Sequence, residues 1–270
     1  MEELVFVKLG GSLITDKRRR ATARHDIIHR LARETQEALS SGTDLRILLG
    51  HGSGSFGHWE ANRYRTHEGV HTQEGWYGFA RVSATALQLD RIVLEAFIEA
   101  GIPALSLQPL ASALTEGGNL VSLNLDPIRR ALTHGLVPLI FGDVAFDKAV
   151  GGTIISTEDI FVYLAQALNP ARILLLGNAP GVLSNRHKVI PEITPETLPE
   201  IAVHLRGSGY TDVTGGMADK VERMVHLVTE QPELQVWIMT GAQPGNLRRA
   251  LLEPAAYRGG TLIHASTPGP

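Results

Sequence analysis

Residues 51–58 read His-Gly-Ser-Gly-Ser-Phe-Gly-His and follow the apolar run 45–50, Leu-Arg-Ile-Leu-Leu-Gly. An apolar run of strand length ending in bare glycines marks a strand-to-helix junction, the place where parallel α/β sheets hold ligands. Several ligand chemistries compete for it. Gly52, Gly54 and Gly57 spell G-x-G-x-x-G, but the dinucleotide fingerprint also needs an acidic residue closing the next strand about 20 residues on. Trp76 and Tyr77 stand there instead, in or just before a helical stretch. A Walker A loop is excluded, because no glycine run continues into G-K-[ST]. The third reading is a phosphate cradle of another kind, in which glycines let backbone N–H groups approach phosphate oxygens and the following helix adds its positive end, beside the plain reading of the glycines as turn residues.

A short way on, His67-Glu68-Gly69-Val70-His71 is a literal H-E-x-x-H, the spacing that sets two imidazoles on one helical face for zinc. Glycine alone costs a helix about 1 kcal/mol there, and the β-branched valine does not help. No third ligand stands nearby, so the segment reads as a loop and no metal ligand is assigned.

Farther out, short β-rich runs alternate with longer amphipathic ones: 4–10, 25–41, 45–50, 74–100, 102–109 and 135–144. That rhythm predicts βαβ units and a parallel sheet covered by helices. Within 80–99, Val82, Ala86, Leu89, Val93 and Phe97 recur at spacings of three and four, a core-facing stripe. The pattern resumes with 151–156, a helix from about 158 to 168 and a strand at 171–177. The stretch 183–212, rich in Pro, Thr and Gly, reads as a flap. A helix over about 216–230, a strand at 234–239 and a short strand near 261–265 complete it. With no internal repeat or low-complexity linker, 1–270 reads as one α/β domain whose two halves share a sandwich.

Composition limits the partners. The 270 residues are 43% hydrophobic and 20% charged, with a formal charge of -3. There is no basic field for nucleic acid and no polybasic membrane patch, so binding chemistry is expected in a local cleft. The absence of cysteine excludes disulfides, thiolate metal sites and a cysteine nucleophile. No apolar stretch approaches the roughly 20 residues that span a bilayer, and the opening Met1-Glu2-Glu3 lacks a secretory signal's basic start. The expected location is the cytoplasm.

Two more glycine clusters strengthen the cradle reading. Lys8-Leu9-Gly10-Gly11-Ser12 ends the first strand and leads to Thr15-Asp16-Lys17, and Thr214-Gly215-Gly216-Met217 opens a helix carrying Lys220 one turn in. Three lysines beside phosphate-sized glycine loops suit a polyphosphate.

The segments KLGGSLITDK (8–17), HGSGSFGH (51–58), GDV (142–144), DVTGGMADK (212–220) and TGAQPGNLRRAL (240–251) followed by GGT (259–261) together resemble the amino acid kinase superfamily. Within it, over about 4–264, they resemble the isopentenyl phosphate kinases. The resemblance implies an αβα sandwich with a mainly parallel central sheet, an acceptor-binding N-terminal lobe (about 1–170), an ATP-binding C-terminal lobe (about 171–270) and a homodimer. It implies ATP-dependent phosphorylation of isopentenyl phosphate with Mg2+, a step of isoprene biosynthesis in the mevalonate pathway.

By that resemblance Lys8 and Lys220 bind the nucleotide's phosphates, Lys17 stabilises the transferred phosphoryl group and Gly54 meets the transferring phosphate. His58 hydrogen-bonds the acceptor's phosphate, assisted by Ser53, Gly54 and Thr157. Gly10, Gly11, Ser12, Asn178, Gly215 and Gly216 complete the nucleotide side, and Glu158 orients the lysines. The chain departs from the family where Ser53 breaks a run of three glycines and Ser156-Thr157-Glu158 replaces Ser-Gly-Asp. It departs again where Gly177-Asn178-Ala179-Pro180-Gly181 lacks both aspartates of an adenine-side motif. Tyr64, Trp76, Phe79 and Val82 are candidates for the wall of a tail pocket. A kinase for another small phosphate or phosphonate, such as fosfomycin, and a non-catalytic nucleotide- or oxyanion-binding protein remain the alternatives.

Overall fold

The computed structural model describes residues 3–205 and 216–265. In chain order its first elements are β1 (Glu3–Leu9), α1 (Gly11–Ile14), α2 (His25–Leu39), β2 (Leu45–His51), α3 (Gly54–Tyr64) and α4 (Gln73–Glu99). Next come β3 (Ala104–Ser106), β4 (Leu114–Glu116), β5 (Asn119–Ser122), α5 (Asp126–Thr133), β6 (Val137–Phe141), β7 (Asp143–Asp147) and β8 (Gly151–Ile155). The remainder is α6 (Thr157–Leu168), β9 (Arg172–Gly177), β10 (Glu192–Ile193), α7 (Leu198–Leu205), α8 (Gly216–Glu230), β11 (Gln235–Thr240), α9 (Asn246–Leu252) and β12 (Thr261–Ile263).

The main sheet runs β10-β12-β11-β9-β1-β2-β6-β3. Every pairing in it is parallel except β11 with β12. Its central strands are near-continuous apolar runs because both faces are covered. Successive side chains leave a strand on opposite sides, and β1 shows the division. Phe6 joins Leu48, Phe161 and Val221 beneath α5, α6 and α8, whereas Val5 and Val7 join Leu31, Phe97 and Leu247 beneath α2, α4 and α9. This is the expected αβα sandwich.

A second sheet, ordered β5-β4-β7-β8, is absent from the sequence reading. Gly142 splits the single apolar run 135–144, so β6 stays in the main sheet while β7 turns into the small one. Asp147 anchors this sheet by accepting N–H bonds from Gly117, Gly118, Ala149 and Val150 at 2.8–3.0 Å. Burial pushes its carboxyl up, but these backbone donors outweigh it and hold the group well below the usual carboxylate range.

The flap expectation needs correction over 183–205. Leu183 bridges Val189, β10 extends the main sheet beside β12, and α7 lies against α8. The composition signalled loop because a two-residue strand and an eight-residue helix are too short to show a period. The rest of that region, 206–212, lies outside the described residues.

Candidate active site

Five parallel strands end on one edge of the main sheet, and each end is fastened to the next. Gly10 N–H donates to the Leu176 carbonyl at 2.8 Å, Gly52 N–H to Leu9 at 3.0 Å, Gly142 N–H to His51 at 3.2 Å and Gly241 N–H to Gly177 at 2.9 Å. The glycines of two loops then interlock. A Cβ on Gly11 would stand 2.5 Å from the Gly54 nitrogen, and one on Gly54 would strike Thr15 Oγ1 at a backbone φ of +49°. Buried Thr15 joins both loops: its hydroxyl donates to the Gly11 carbonyl at 2.6 Å and accepts the Ser55 N–H at 2.9 Å. Gly11→Ala is therefore expected to cost about 1–3 kcal/mol of stability by overpacking. Denaturant unfolding checks this, and an unshifted midpoint would mean the loops do not interlock.

The interlocked loops form the floor of a cleft that Lys8, Lys17, His58 and Lys220 all line. Gly10, Gly11, Ser12, Ser53, Gly54, Thr157 and Glu158 line it too. The three lysines and one histidine come from β1, the 16–22 loop, α3 and α8, segments remote in sequence. Gly216 begins α8, next to the lining residue Met217, while Gly215 lies outside the described residues.

Glu158 stands in the first turn of α6, where Ser156 and Asp159 form a capping box. One carboxylate oxygen pairs with the Lys8 ammonium and the other lies 3.1 Å from Lys220 Nζ. Burial alone would raise this carboxyl, but the two ammonium groups hold it well below the usual range. The folded protein thus binds fewer protons than the unfolded chain in acid. The stability this group contributes is complete above the unfolded value near pH 4.3 and is lost as pH falls toward the depressed folded value. Glu158→Gln is expected to flatten the acid limb of a stability-versus-pH curve measured from about pH 6 to 3. An unchanged limb would remove Glu158 from the lysine pair.

Lys17 is exposed at its solvent end, yet its loop is tethered. Thr15 bridges Ala23, Asp16 N–H donates to Thr22 at 2.9 Å, Ala21 N–H donates to Ser55 at 3.1 Å, and Arg20 pairs with buried Glu60 of α3. The basic run 18–20 is therefore fastened to α3 through Arg20, while Arg18 and Arg19 stay exposed.

Two expected contact residues have other engagements, and a third needs a bare neighbour. Thr157 donates its hydroxyl to the His51 carbonyl at 2.6 Å, so it meets the cleft from the start of α6. Asn178 stands between the lining residues Gly177 and Ala179, and its Nδ2 donates to the Ser12 carbonyl at 2.8 Å and supports the first glycine loop. Ser53 lines it, and a Cβ on Gly57 would lie 2.6 Å from Ser53 Oγ, so this serine fits because the residue one turn later is bare.

Of the tail-wall candidates, Phe79 and Val82 are buried with Ala61, Val70 and Val144 in a small cluster. Ile154 packs on that cluster and also lines the cleft. Trp76 meets Phe79 edge-on and lies tilted against exposed Phe146, and Tyr64 meets Tyr77 edge-on. Thr15 and Ile154 were not identifiable from sequence, since nothing local distinguishes them from ordinary strand or turn residues.

His67 ends up in a 3-10 turn, and Gly69 turns the chain at φ +106° before Val70 pairs with Val150. The two imidazoles of 67–71 therefore do not share a helical face. Glu158 is the carboxylate lining the cleft, and it is occupied by two lysines. Among the described residues no cluster of three metal-ligating side chains occurs.

A model of the amino acid kinase family matches residues 3–239. The chain is 32% identical to isopentenyl phosphate kinase of Methanothermobacter thermautotrophicus, covering 92% of this chain and 95% of that one. It is 35% identical to isopentenyl phosphate kinase of Haloferax volcanii, covering 91% and 98%. A solved isopentenyl phosphate kinase superposes with a TM-score of 0.80 at 28% identity, over 96% of this chain and all of the other.

Proposed function

The chain belongs to the amino acid kinase family, and on that premise we propose that it transfers the γ-phosphoryl group of ATP to isopentenyl phosphate, giving isopentenyl diphosphate and ADP. The observation that carries this reading is the convergence of Lys8, Lys17, Lys220 and His58 on one cleft. Phosphoryl transfer needs mainly alignment and charge around a loose transition state. In this reading Lys8 and Lys220, set by Glu158, hold the nucleotide's phosphates, with Gly10, Gly11, Ser12 and the start of α8 behind them. Lys17 meets the charge that develops on the moving group, and Gly54 brings its backbone close to it.

The acceptor is itself an anionic nucleophile near neutral pH, since a phosphate's second pKa is about 6. It needs a donor to hold it rather than a base, and His58, with Ser53 beside it, supplies one. Mg2+ belongs to the substrate, carried in on the nucleotide. The N-terminal lobe, about 1–170, takes the acceptor and the C-terminal lobe, about 171–270, takes MgATP. Ile154, with Phe79 and Val82 behind it, gives an apolar wall for a five-carbon tail, worth about 0.8 kcal/mol per buried methylene. The cytoplasm, where ATP is available, is the proposed setting.

Phosphorus NMR of ATP with isopentenyl phosphate tests this directly. The expected result is ADP and a new diphosphate, with fosfomycin and unrelated small phosphates turning over far more slowly. Consumption with fosfomycin alone would transfer the reading to that acceptor, and no consumption with any acceptor would leave a binding protein.

The same reading includes a homodimer. The open edge strand β3 and the neighbouring α4 expose Leu105, Leu87 and Ile98, an apolar face at a sheet edge that a second copy would cover. Leu87→Asp with Ile98→Asp is expected to yield a monomer by sedimentation. A wild-type monomer would sink the assembly.

A further inference from the structure

His51 is a buried ionisable residue that the transfer chemistry leaves unused. It ends β2 at 0% exposure, its ring stacked 5.4 Å from Phe141. Nδ1 lies 3.2 Å from the Gly52 carbonyl oxygen, and Nε2 lies 3.3 Å from Asp90 Oδ1. Asp90, on α4, is 4% exposed and accepts Ser106 Oγ–H on its other oxygen at 2.7 Å. A carbonyl and a carboxylate both only accept, so the two contacts together require a proton on each ring nitrogen, Nδ1–H toward Gly52 and Nε2–H toward Asp90.

That contact has a consequence on the far side of one peptide bond. In a planar trans peptide the C=O of one residue and the N–H of the next point in opposite directions. Holding the Gly52 carbonyl toward the buried ring turns the Ser53 N–H away from it. Gly52, Ser53 and Gly54 line the cleft while His51 does not, and among the described residues nothing accepts the Ser53 N–H. The His51 carbonyl meanwhile takes Thr157 Oγ1–H at 2.6 Å and Gly142 N–H at 3.2 Å. One residue thus fastens the second glycine loop, the start of α6 and the β6–β7 turn.

We propose that His51 is a positioning residue: supported by Asp90 and Ser106, its Nδ1–H clamps the Gly52 carbonyl so that the Ser53 N–H faces the phosphate in the cleft. The role rests on the reading of that cleft as a phosphoryl-transfer site. An amide fixed in place before the anion arrives needs no reorganisation during transfer, which is what makes such donors effective.

Three measurements on the full chain test it. Nitrogen-15 NMR of the wild-type ring is expected to show a protonated Nδ1, and an unprotonated Nδ1 would overturn the clamp whether or not any variant folds. Adding isopentenyl phosphate is expected to shift the Ser53 amide in wild type and to leave it unshifted in a His51→Phe, Asp90→Asn double variant, in which the His58 ring signals still respond. In kinetics that variant is expected to lose about 10²-fold in kcat, with the KM for ATP within about threefold. A shifted Ser53 amide and wild-type kcat in the folded variant would overturn the proposal and leave the kinase reading standing. A wild type that neither responds to isopentenyl phosphate nor turns over would sink the kinase reading itself.

Discussion

Lys17→Ala is expected to lower kcat by about 10³-fold and to leave the Michaelis constants for both substrates within a few-fold, the signature of a cation that acts on charge present only during transfer. The structure supplies the reason to expect so sharp a division. Lys8 and Lys220 share Glu158, so their positions are set before any ligand enters and their charge suits phosphates already present on bound nucleotide. Lys17 rides instead on the 16–22 loop, fastened to α3 through Ser55 and Glu60. Steady-state kinetics with each substrate varied in turn separates the outcomes. A rise confined to the Michaelis constants would make Lys17 a binding residue only.

His58→Ala is the second large effect. It is expected to lower kcat/KM for isopentenyl phosphate by about 10²-fold, the value of a hydrogen bond to a charged group, while ATP affinity measured without acceptor stays within about twofold of wild type. The asymmetry follows from placement: His58 lies one turn into α3, past Ser53 and Gly54, whereas the lysines paired with Glu158 reach the cleft from β1 and α8. His58→Gln retains a donor and is expected to keep part of the activity. Equal losses for ATP and acceptor would place His58 between the two anions instead.

The legible parts of the fold were those written in continuous runs. β1, β2, β9 and β11 are apolar on both faces, and α4 carries its stripe over several turns, so periodicity identifies them without tertiary knowledge. The small sheet escaped because β4 and β5 are only three and four residues long, and because Gly142 divides a run that looks like one strand. The cleft was legible where chemistry is local, as in a lysine beside a glycine turn. It was not legible where a role depends on partners far along the chain. Thr15 matters through Ser55, forty residues away, and the Thr157 hydroxyl turns inward to His51 across 106 residues. Arg20 looks like part of a solvated charge run until Glu60 is seen buried beneath it. Those pairings are created by the sheet order, which no short motif contains.

The central claim is that donor and acceptor phosphates lie together in this one cleft and that the phosphoryl group passes straight between them, with no residue of the chain carrying it. The stereochemical course at phosphorus tests that most directly. With ATP made chiral at the γ-phosphorus by oxygen isotopes and sulfur, a single in-line displacement predicts inversion in the isopentenyl diphosphate product. Retention would mean two successive transfers through a phosphorylated side chain, and would contradict the account.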